Sequence, residues 1–248
     1  MNRWLFDLGN SRLKCARLHD DGSLGEVIAL AHDGKGFVET LLEALPDRAD
    51  SACLASVASP ALTAAVVDAL SARFRRISLA RSSLRLAGVR IAYAEPARLG
   101  VDRFLALLAA HARGKNQPWL IAGVGTALTV DLLDAEGLHR GGRIGPSPRI
   151  MREALHRAAA QLPAQGGSYR EFAVDTADAL ASGCEGAALG LIERSLHQAE
   201  QSLGQAPTLL LHGGGADALA PHLPQAQHAP TLVLEGLALW SRAGVAIF

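Results

Sequence analysis

The sequence has little cysteine and no long apolar run, and both shortages exclude classes of protein. Its three cysteines, Cys15, Cys53 and Cys184, lie far apart and form no C-x-x-C pair, so a disulfide framework and a zinc site are not expected. No apolar run approaches the ~18–20 residues of a membrane span. The first ten residues carry Asp7 within their only apolar stretch, which argues against a signal peptide. We therefore expect a cytoplasmic protein with no membrane partner.

Charge of one sign is not in excess either. Lysine plus arginine total 24 and aspartate plus glutamate total 24, which gives a formal net charge of zero. A nucleic-acid partner is therefore not expected, because such binding needs clustered positive charge. The one basic stretch has five arginines between Arg73 and Arg85, is interrupted by apolar residues, and predicts a solvent-facing strand rim.

Three motifs of common enzymes are absent. The sequence has no G-x-x-x-x-G-K-[ST], so ATP, if it is used, is not bound by a Walker loop. It has no G-x-S-x-G, which excludes the α/β-hydrolase interpretation of His212-Gly213-Gly214-Gly215. The segment that starts at Gly123 misses G-x-G-x-x-G because Leu128 stands in place of the third glycine, and a strand follows instead of a helix. A Rossmann dinucleotide site is therefore excluded.

The chain does have 248 residues, 49% of them hydrophobic, and strands that alternate with helices. This pattern predicts an α/β fold with a sizeable core. The opening strand at Trp4–Phe6 runs into Gly9-Asn10-Ser11, and a later strand at Trp119–Ile121 runs into Gly125-Thr126-Ala127. Each is followed by a further strand, a glycine turn and a third strand. We interpret this recurrence as an internal duplication.

Helices and one further strand are predicted outside the repeats. Helices are expected at Leu99–Arg113 and at Thr176–Leu203, the second with a break left open near Gly183, Gly186 or Gly190. Thr231–Leu234 is expected to be a last short strand before a closing helix at Glu235–Val245. A polar break at Gly114–Pro118 divides the chain into two expected domains, 1–115 and 116–248.

The richest cluster of polar residues is Asp7-x-Gly9-Asn10-Ser11-x-x-Lys14. A glycine between two strands lets the backbone approach a ligand, and successive N–H groups in such a turn can hold phosphate oxygens. Asp7 is suited to Mg²⁺, which prefers oxygen ligands, and Lys14 is suited to a phosphate. The alternative is an ordinary Gly-Asn hairpin turn, but that does not explain a carboxylate inside an apolar strand.

Two further segments have both a functional and a purely structural interpretation. Gly100-Val101-Asp102-Arg103 opens a helix, where Asp102 complements the helix dipole but Arg103 does not. Functionally, Asp102 would be a general base and Arg103 an anchor for an anionic substrate, and the residues alone leave both interpretations open. The Gly213-Gly214 segment is either a simple strand-to-helix turn or a close approach to a nucleotide.

In this order, the motifs resemble those of the type III pantothenate kinases and the related Bvg accessory factor proteins, members of the acetate kinase, sugar kinase, heat-shock and actin superfamily. The resemblance covers nearly the whole chain. It rests on the segments at Asp7 and Gly100, followed by Gly125-Thr126-Ala127-x-Thr129-x-Asp131, Gly141-Gly142, Thr176 at a helix start, and Gly213-Gly214. It implies a duplicated ribonuclease-H-like (actin-like ATPase) fold with ATP in the cleft between two similar halves.

The same resemblance implies a reaction and a set of site residues. The implied reaction is Mg²⁺-ATP-dependent phosphorylation of pantothenate to 4'-phosphopantothenate, the first step of coenzyme A biosynthesis. Asp102 would be the catalytic base, and Asp7 the carboxylate associated with Mg²⁺. The other implied residues bind pantothenate (Tyr93, Gly100, Val101, Arg103, Thr176) or ATP (Gly9, Asn10, Ser11, Lys14, Gly125, Thr126, Ala127, Gly213, Gly214). The family is dimeric, so we expect a homodimer in which Thr176 reaches the pantothenate site of the partner subunit.

The chain departs from the family pattern at Gly123, where the family has an Asp that binds a monovalent cation. K⁺ or NH₄⁺ is therefore expected to activate weakly or not at all. Smaller departures occur at Gly145-Pro146 and at Gly215. These changes leave open a second function, a non-catalytic nucleotide-binding accessory protein of the Bvg accessory factor type. A third, a superfamily kinase for another alcohol, is opposed by Gly100-Val101-Asp102-Arg103.

Overall fold

The first part of the fold is a five-stranded sheet with two helices. The computed structural model describes residues 1–32 and 36–243. The chain begins with the meander β1 (Arg3–Leu8), β2 (Arg12–Leu18) and β3 (Ile28–Ala31). Next come α1 (Phe37–Glu43), β4 (Ala49–Ser56), α2 (Pro60–Ser71) and β5 (Phe74–Leu79). The sheet order is β3-β2-β1-β4-β5, in which the meander strands pair antiparallel, β4 is parallel to β1, and β5 is parallel to β4.

A second sheet follows with the same plan. A short hairpin, β6 (Arg85–Leu86) and β7 (Val89–Arg90), precedes α3 (Val101–Arg113). The second meander is β8 (Trp119–Val124), β9 (Ala127–Leu133) and β10 (His139–Pro146). It is followed by α4 (Pro148–Ala158), α5 (Thr176–Leu203), β11 (Thr208–His212), α6 (Ala216–Leu219), β12 (Gln227–His228) and α7 (Leu232–Arg242). The sheet order is β10-β9-β8-β11-β12.

The two sheets are copies of one arrangement, and this confirms the predicted α/β fold and its duplication. In each, an antiparallel meander is extended by two parallel strands on the side of its first strand. Each sheet has its own apolar core, one built around Phe6, Leu8 and Leu54 and the other around Leu120, Val130 and Leu211. β8 is buried at every position, as expected for a central strand covered on both faces.

The last helix, α7, belongs to the first of two compact units. One unit is Met1–Arg113 together with the residues from Thr231, and the other is Gly114–Pro230. The break between them falls beside the predicted Gly114–Pro118 boundary, but the division into 1–115 and 116–248 differs at the C-terminal helix. α7 packs against α3, and the backbone of Gly236 lies too close to the carbonyl oxygen of Leu105 for any Cβ. This helix contact joins α7 to the first unit.

The predicted strand at Thr231–Leu234 is wrong. Leu232, Val233 and Leu234 form the first turn of α7, and all three are buried. A helix that is apolar on several sides loses the 3.6-residue pattern by which helices are recognised, so a short apolar run such as this also fits a strand.

The long helix α5 is unbroken over all 28 residues. Gly183, Gly186 and Gly190 stay within it, which is reasonable because one glycine costs a helix only about 1 kcal/mol and the buried face of α5 offsets that cost. Among residues 1–32 and 36–243, no helix combines the length and apolar character that crossing a bilayer requires.

Candidate active site

A glycine turn joins the first two strands of each meander. In the first unit, the pairing of β1 with β2 ends at Leu8 and Leu13, and the N–H of Gly9 donates to the carbonyl oxygen of Arg12 (3.0 Å). In the second, pairing ends at Val124 and Leu128, and the N–H of Gly125 donates to Ala127 O (2.9 Å). The two turns that the sequence predicts to correspond therefore occupy the same position in their sheets.

Asp7 lies on β1 and Lys14 on the next strand, β2, and the two residues are directly opposite each other. Directly opposed residues project from the same face of a sheet. Burial, and after it the negative charge of Asp102, raise the pKa of the Asp7 carboxyl from 3.8 to about 7, while the Lys14 ammonium acts in the opposite direction. Asp7, Lys14 and Asp102 therefore form one electrostatic group within the first unit.

Asp102 lies in the first turn of α3, and its neighbours shape the space around it. Its Oδ1 atom accepts a hydrogen bond from the backbone N–H of Arg103 (2.8 Å). A Cβ on Gly100 would lie 2.7 Å from the same oxygen, so a glycine there leaves room for the carboxylate. Val101 is buried and anchors the start of the helix. Asp102 also complements the helix dipole, because a negative charge is stabilised in the first turn of a helix.

Arg103 is a buried guanidinium, with only 6% of its surface exposed. Its Nη1 atom lies 3.4 Å from the Tyr93 hydroxyl oxygen, and its Cζ atom lies 5.9 Å from the centre of the Tyr93 ring. A buried guanidinium needs polar partners, and it matches a carboxylate in forked geometry. Two of the residues that the family resemblance assigns to pantothenate binding, Tyr93 and Arg103, are thus in contact.

In the second unit, Gly213 follows β11, and its backbone packs against the last residue of β8, Val124. Its φ is +97°, and a Cβ would collide with the backbone of Val124. The N–H of Gly215 donates to the carbonyl oxygen of Val124 (2.9 Å), one residue before the Gly125 turn. The two glycine segments predicted to bind ATP, at Gly125 and at Gly213-Gly214, therefore meet at the end of one strand.

Thr176 lies elsewhere in the second unit, as the exposed first residue of α5. Asp175 caps that helix, and its Oδ1 atom accepts hydrogen bonds from the N–H groups of Ala177 (2.9 Å) and Asp178 (3.0 Å). The side chains of Phe172 and Val174, shortly before it, are almost fully exposed. Thr176 therefore begins a well-capped helix beside an exposed apolar pair.

The structure adds two histidines that sequence reasoning missed. The Nε2 atom of His32 lies 2.9 Å from the carbonyl oxygen of Gly9, so His32 supports the first glycine turn. The imidazole of His212 covers Gly123: a Cβ at that glycine would lie 2.8 Å from His212 Nε2. The one available signal for His212 was its position directly before Gly213-Gly214, and a single histidine at the end of a strand has no informative spacing.

The three cysteines are not part of this chemistry. All three are free thiols, and burial raises the pKa of Cys15 to about 12 and that of Cys53 to about 11. Burial also raises the pKa of Cys184. Since the thiolate is the reactive form, these side chains are inert near neutral pH.

The chain is similar to known proteins along nearly its whole length. Residues 4–198 match the family described as type III pantothenate kinase. The chain is 59% identical to a protein named type III pantothenate kinase from Stenotrophomonas maltophilia strain K279a, over 97% of this chain and 98% of that protein. Proteins of the same name from Xanthomonas euvesicatoria pv. vesicatoria strain 85-10 and Xylella fastidiosa strain 9a5c are 56% and 55% identical, over 98% and 97% of this chain and 98% of each relative.

Solved structures share the fold at low sequence identity. A protein from Campylobacter jejuni, named as a Baf family transcriptional activator, is 20% identical with a TM-score of 0.62, over 96% of this chain and 97% of that one. The activator of 2-hydroxyisocaproyl-CoA dehydratase from Clostridium difficile, solved with bound ADPNP, is 9% identical with a TM-score of 0.52, over 98% and 96%. These likenesses show the actin-like ATPase fold that the resemblance implies.

Proposed function

Since the chain belongs to the type III pantothenate kinase family, we propose that it transfers the γ-phosphoryl group of ATP to the primary hydroxyl of pantothenate. The product is 4'-phosphopantothenate, and the reaction opens coenzyme A biosynthesis. The observation that carries the proposal is the group of Asp7, Lys14 and Asp102 in the first unit. The accessory-protein alternative is not favoured, because relatives at 55–59% identity over nearly full length are named as kinases.

Asp102 is the general base in this proposal. The Asp102 carboxylate, whose Oδ1 atom accepts a hydrogen bond from the backbone N–H of Arg103, receives the proton of the pantothenate hydroxyl as the hydroxyl oxygen attacks the γ-phosphorus and ADP leaves. Phosphoryl transfer asks mainly for in-line positioning and neutralisation of charge. Holding the carboxylate by a backbone contact at a helix start supplies the positioning.

The chemistry of the first unit fits a divalent cation at Asp7. Burial and the negative charge of Asp102 both raise the pKa of Asp7, and a cation bound at Asp7 would offset both effects. The described residues contain no group of three or more metal-ligating side chains. Mg²⁺ commonly takes one or two carboxylates together with substrate phosphates and water, and Asp7 provides one such carboxylate. Bound there, Mg²⁺ would supply charge neutralisation at the phosphates.

The other residues divide between the two substrates. The backbone N–H groups at Gly9, Asn10 and Ser11, with the Lys14 ammonium, bind phosphate oxygens. The turn at Gly125, Thr126 and Ala127 does the same in the second unit, and Gly213-Gly214 passes close to the adenosine.

Pantothenate carries a carboxylate, and Arg103 binds it in forked geometry with Tyr93 beside it. Gly100 and Val101 line the same pocket. We assign the enzyme to a homodimer in which the exposed Phe172 and Val174 are covered and Thr176 reaches the partner's pantothenate. Its free thiols suit a reducing compartment such as the cytoplasm.

The proposal is tested by measuring phosphopantothenate formed by the purified protein with ATP and Mg²⁺. We expect product that requires pantothenate, ATP and the metal together. ATP binding without product in any buffer would instead favour the accessory-protein function.

Replacing Lys14 by Ala should raise the KM for ATP about 10-fold, which corresponds to ~1.4 kcal/mol of lost binding. The KM for pantothenate should change little, because the ammonium faces phosphate and not the acceptor. Steady-state kinetics with each substrate varied in turn measure the KM for ATP and the KM for pantothenate separately. Arg17→Ala, an exposed cation on the opposite face of β2, is the matched control. A larger effect on the pantothenate KM than on the ATP KM would contradict the role given to Lys14.

A further inference from the structure

Three residues lie side by side where β11 and β8 end and β9 begins. His212 pairs with Gly123 in the parallel ladder, and Gly123 pairs with Thr129 in the antiparallel ladder. A Cβ on Gly123 would lie 2.8 Å from both His212 Nε2 and Thr129 Oγ1. The imidazole and the hydroxyl therefore close over the glycine from either side, and no side chain fits there without moving them.

The same three positions in the first sheet hold different side chains. The register places Asp7 of β1 in the position of Gly123, with Lys14 in the place of Thr129 and Ala55 in the place of His212. In the first unit the central strand bears a carboxylate and its parallel neighbour is small. In the second unit the central residue is glycine and its neighbour is an imidazole. The space beside the central strand is thus occupied by the side chain of His212 on β11, and not by a side chain of β8.

This arrangement does not fit a monovalent cation. K⁺ is held by several oxygen ligands, whereas Gly123 offers no side chain, and of the two groups nearest to it one is the ring nitrogen of His212 and only the Thr129 hydroxyl is an oxygen. Asp131, two residues beyond Thr129, does not compensate, because it is buried and its Oδ1 atom lies 2.9 Å from Nε2 of the fully buried His139. The nearest carboxylate on β9 is therefore already engaged by His139 in the core.

His212 also stands directly before the Gly213-Gly214 turn, which wraps Val124. We propose that His212 takes the place of the monovalent cation: with Thr129 it fixes this edge of the second sheet, so that the kinase turns over without K⁺ or NH₄⁺. This inference rests on the proposed function, and it makes His212 a positioning residue for the nucleotide-binding turn.

The first measurement compares rates of phosphopantothenate formation in KCl, NH₄Cl, NaCl and choline chloride at equal ionic strength. The wild-type rates should agree within about 2-fold, because a cation that does not bind cannot couple to turnover. His212→Ala should lower kcat about 10-fold in every salt, and His212→Gln, which keeps a side-chain N–H donor, should recover most of the rate. His228→Ala, on the neighbouring strand β12 and exposed, is the matched control.

The second measurement uses a variant in which a carboxylate is introduced at position 123. In the double variant Gly123→Asp/His212→Ala, the space left by the imidazole is available to the new side chain. K⁺ should then raise the rate about 10-fold over choline, the size of an ordinary coupling between two ligands. K⁺ should also raise the midpoint of thermal unfolding of this variant relative to choline, since a bound ion stabilises the folded state. The wild-type midpoint should be the same in both salts.

Each outcome bears on the proposal. A wild-type rate that rises 10-fold or more with K⁺ would overturn it, as would His212→Ala protein with an unchanged kcat. If no salt supports product, the proposed function fails, and the unfolding midpoint still decides this inference: a midpoint raised by K⁺ alone in the wild type would overturn it. If the double variant does not fold, the wild-type salt series and the two single variants carry the test.

Discussion

Asp102→Asn protein is expected to lose roughly 10²–10⁴-fold in kcat, the usual contribution of a positioned general base, while it binds ATP as the wild type does. The asparagine side chain has nearly the same shape, and its Oδ1 atom can still accept the N–H of Arg103, so the start of α3 should be preserved. What is lost is the group that accepts the hydroxyl proton. Phosphopantothenate formation and calorimetric titration with ATP measure the two properties separately.

The matched control is Asp217→Asn, an exposed aspartate in the first turn of α6. It removes the same charge from a comparable helix position, so an unchanged kcat there would show that the loss at Asp102 is specific. Undiminished turnover in Asp102→Asn protein would rule out Asp102 as the base. An equal loss of ATP affinity and kcat would instead indicate that Asp102 acts on nucleotide binding.

Asp7→Asn protein should be more stable than the wild type above neutral pH, and much less active. The Asp7 pKa is raised from 3.8 to about 7 by burial and by Asp102, so the folded state holds this proton more tightly than the unfolded state does. Between pH 4 and pH 7 folding takes up a proton, and the stability of the wild type falls as the pH rises. The asparagine removes that decline. The stability of Asp7→Asn protein relative to the wild type therefore begins to rise above pH 4, and the rise is complete above pH 7.

The size of the gain follows from the pKa shift. One pKa unit corresponds to about 1.4 kcal/mol, and because the carboxyl is partly exposed we expect a measured gain of ~1–3 kcal/mol at pH 8 and almost none at pH 4. Urea unfolding of the metal-free protein at the two pH values measures it. The same variant should lose at least ~10²-fold in kcat, because a metal ion contributes several kcal/mol of charge stabilisation.

Asp7→Asn protein that is less stable than the wild type at pH 8 would contradict the electrostatic account of this site. Asp20→Asn, an exposed aspartate next to the same meander, is the control for loss of charge alone. If Asp7→Asn protein is more stable than the wild type but fully active, the electrostatic account of Asp7 is supported. The role of Asp7 in holding Mg²⁺ is then contradicted.

Much of the fold could be predicted because its signals are local. The two strand–glycine-turn–strand units recur in the sequence, and antiparallel hairpins form between neighbouring segments, so the facing of Asp7 and Lys14 follows from counting along a turn. Helix α3 was predicted within two residues of its start. The strand predicted at Thr231–Leu234 is wrong because whether an apolar run forms a strand or a helix depends on its surroundings. Here the surroundings are α3, far away in sequence.

Residue types and their order were enough to identify the family, the duplicated α/β fold and the residues that bear charge. They could not show that burial, and the charge of Asp102 close by, raise the pKa of Asp7 to about 7, since Asp7 and Asp102 are separated by most of the first unit in sequence. Nor could they show that Gly123 lies under the imidazole of His212, since β8 and β11 pair across more than eighty residues. Charge interaction and packing depend on distance in space, and the pairing of distant strands and helices sets that distance.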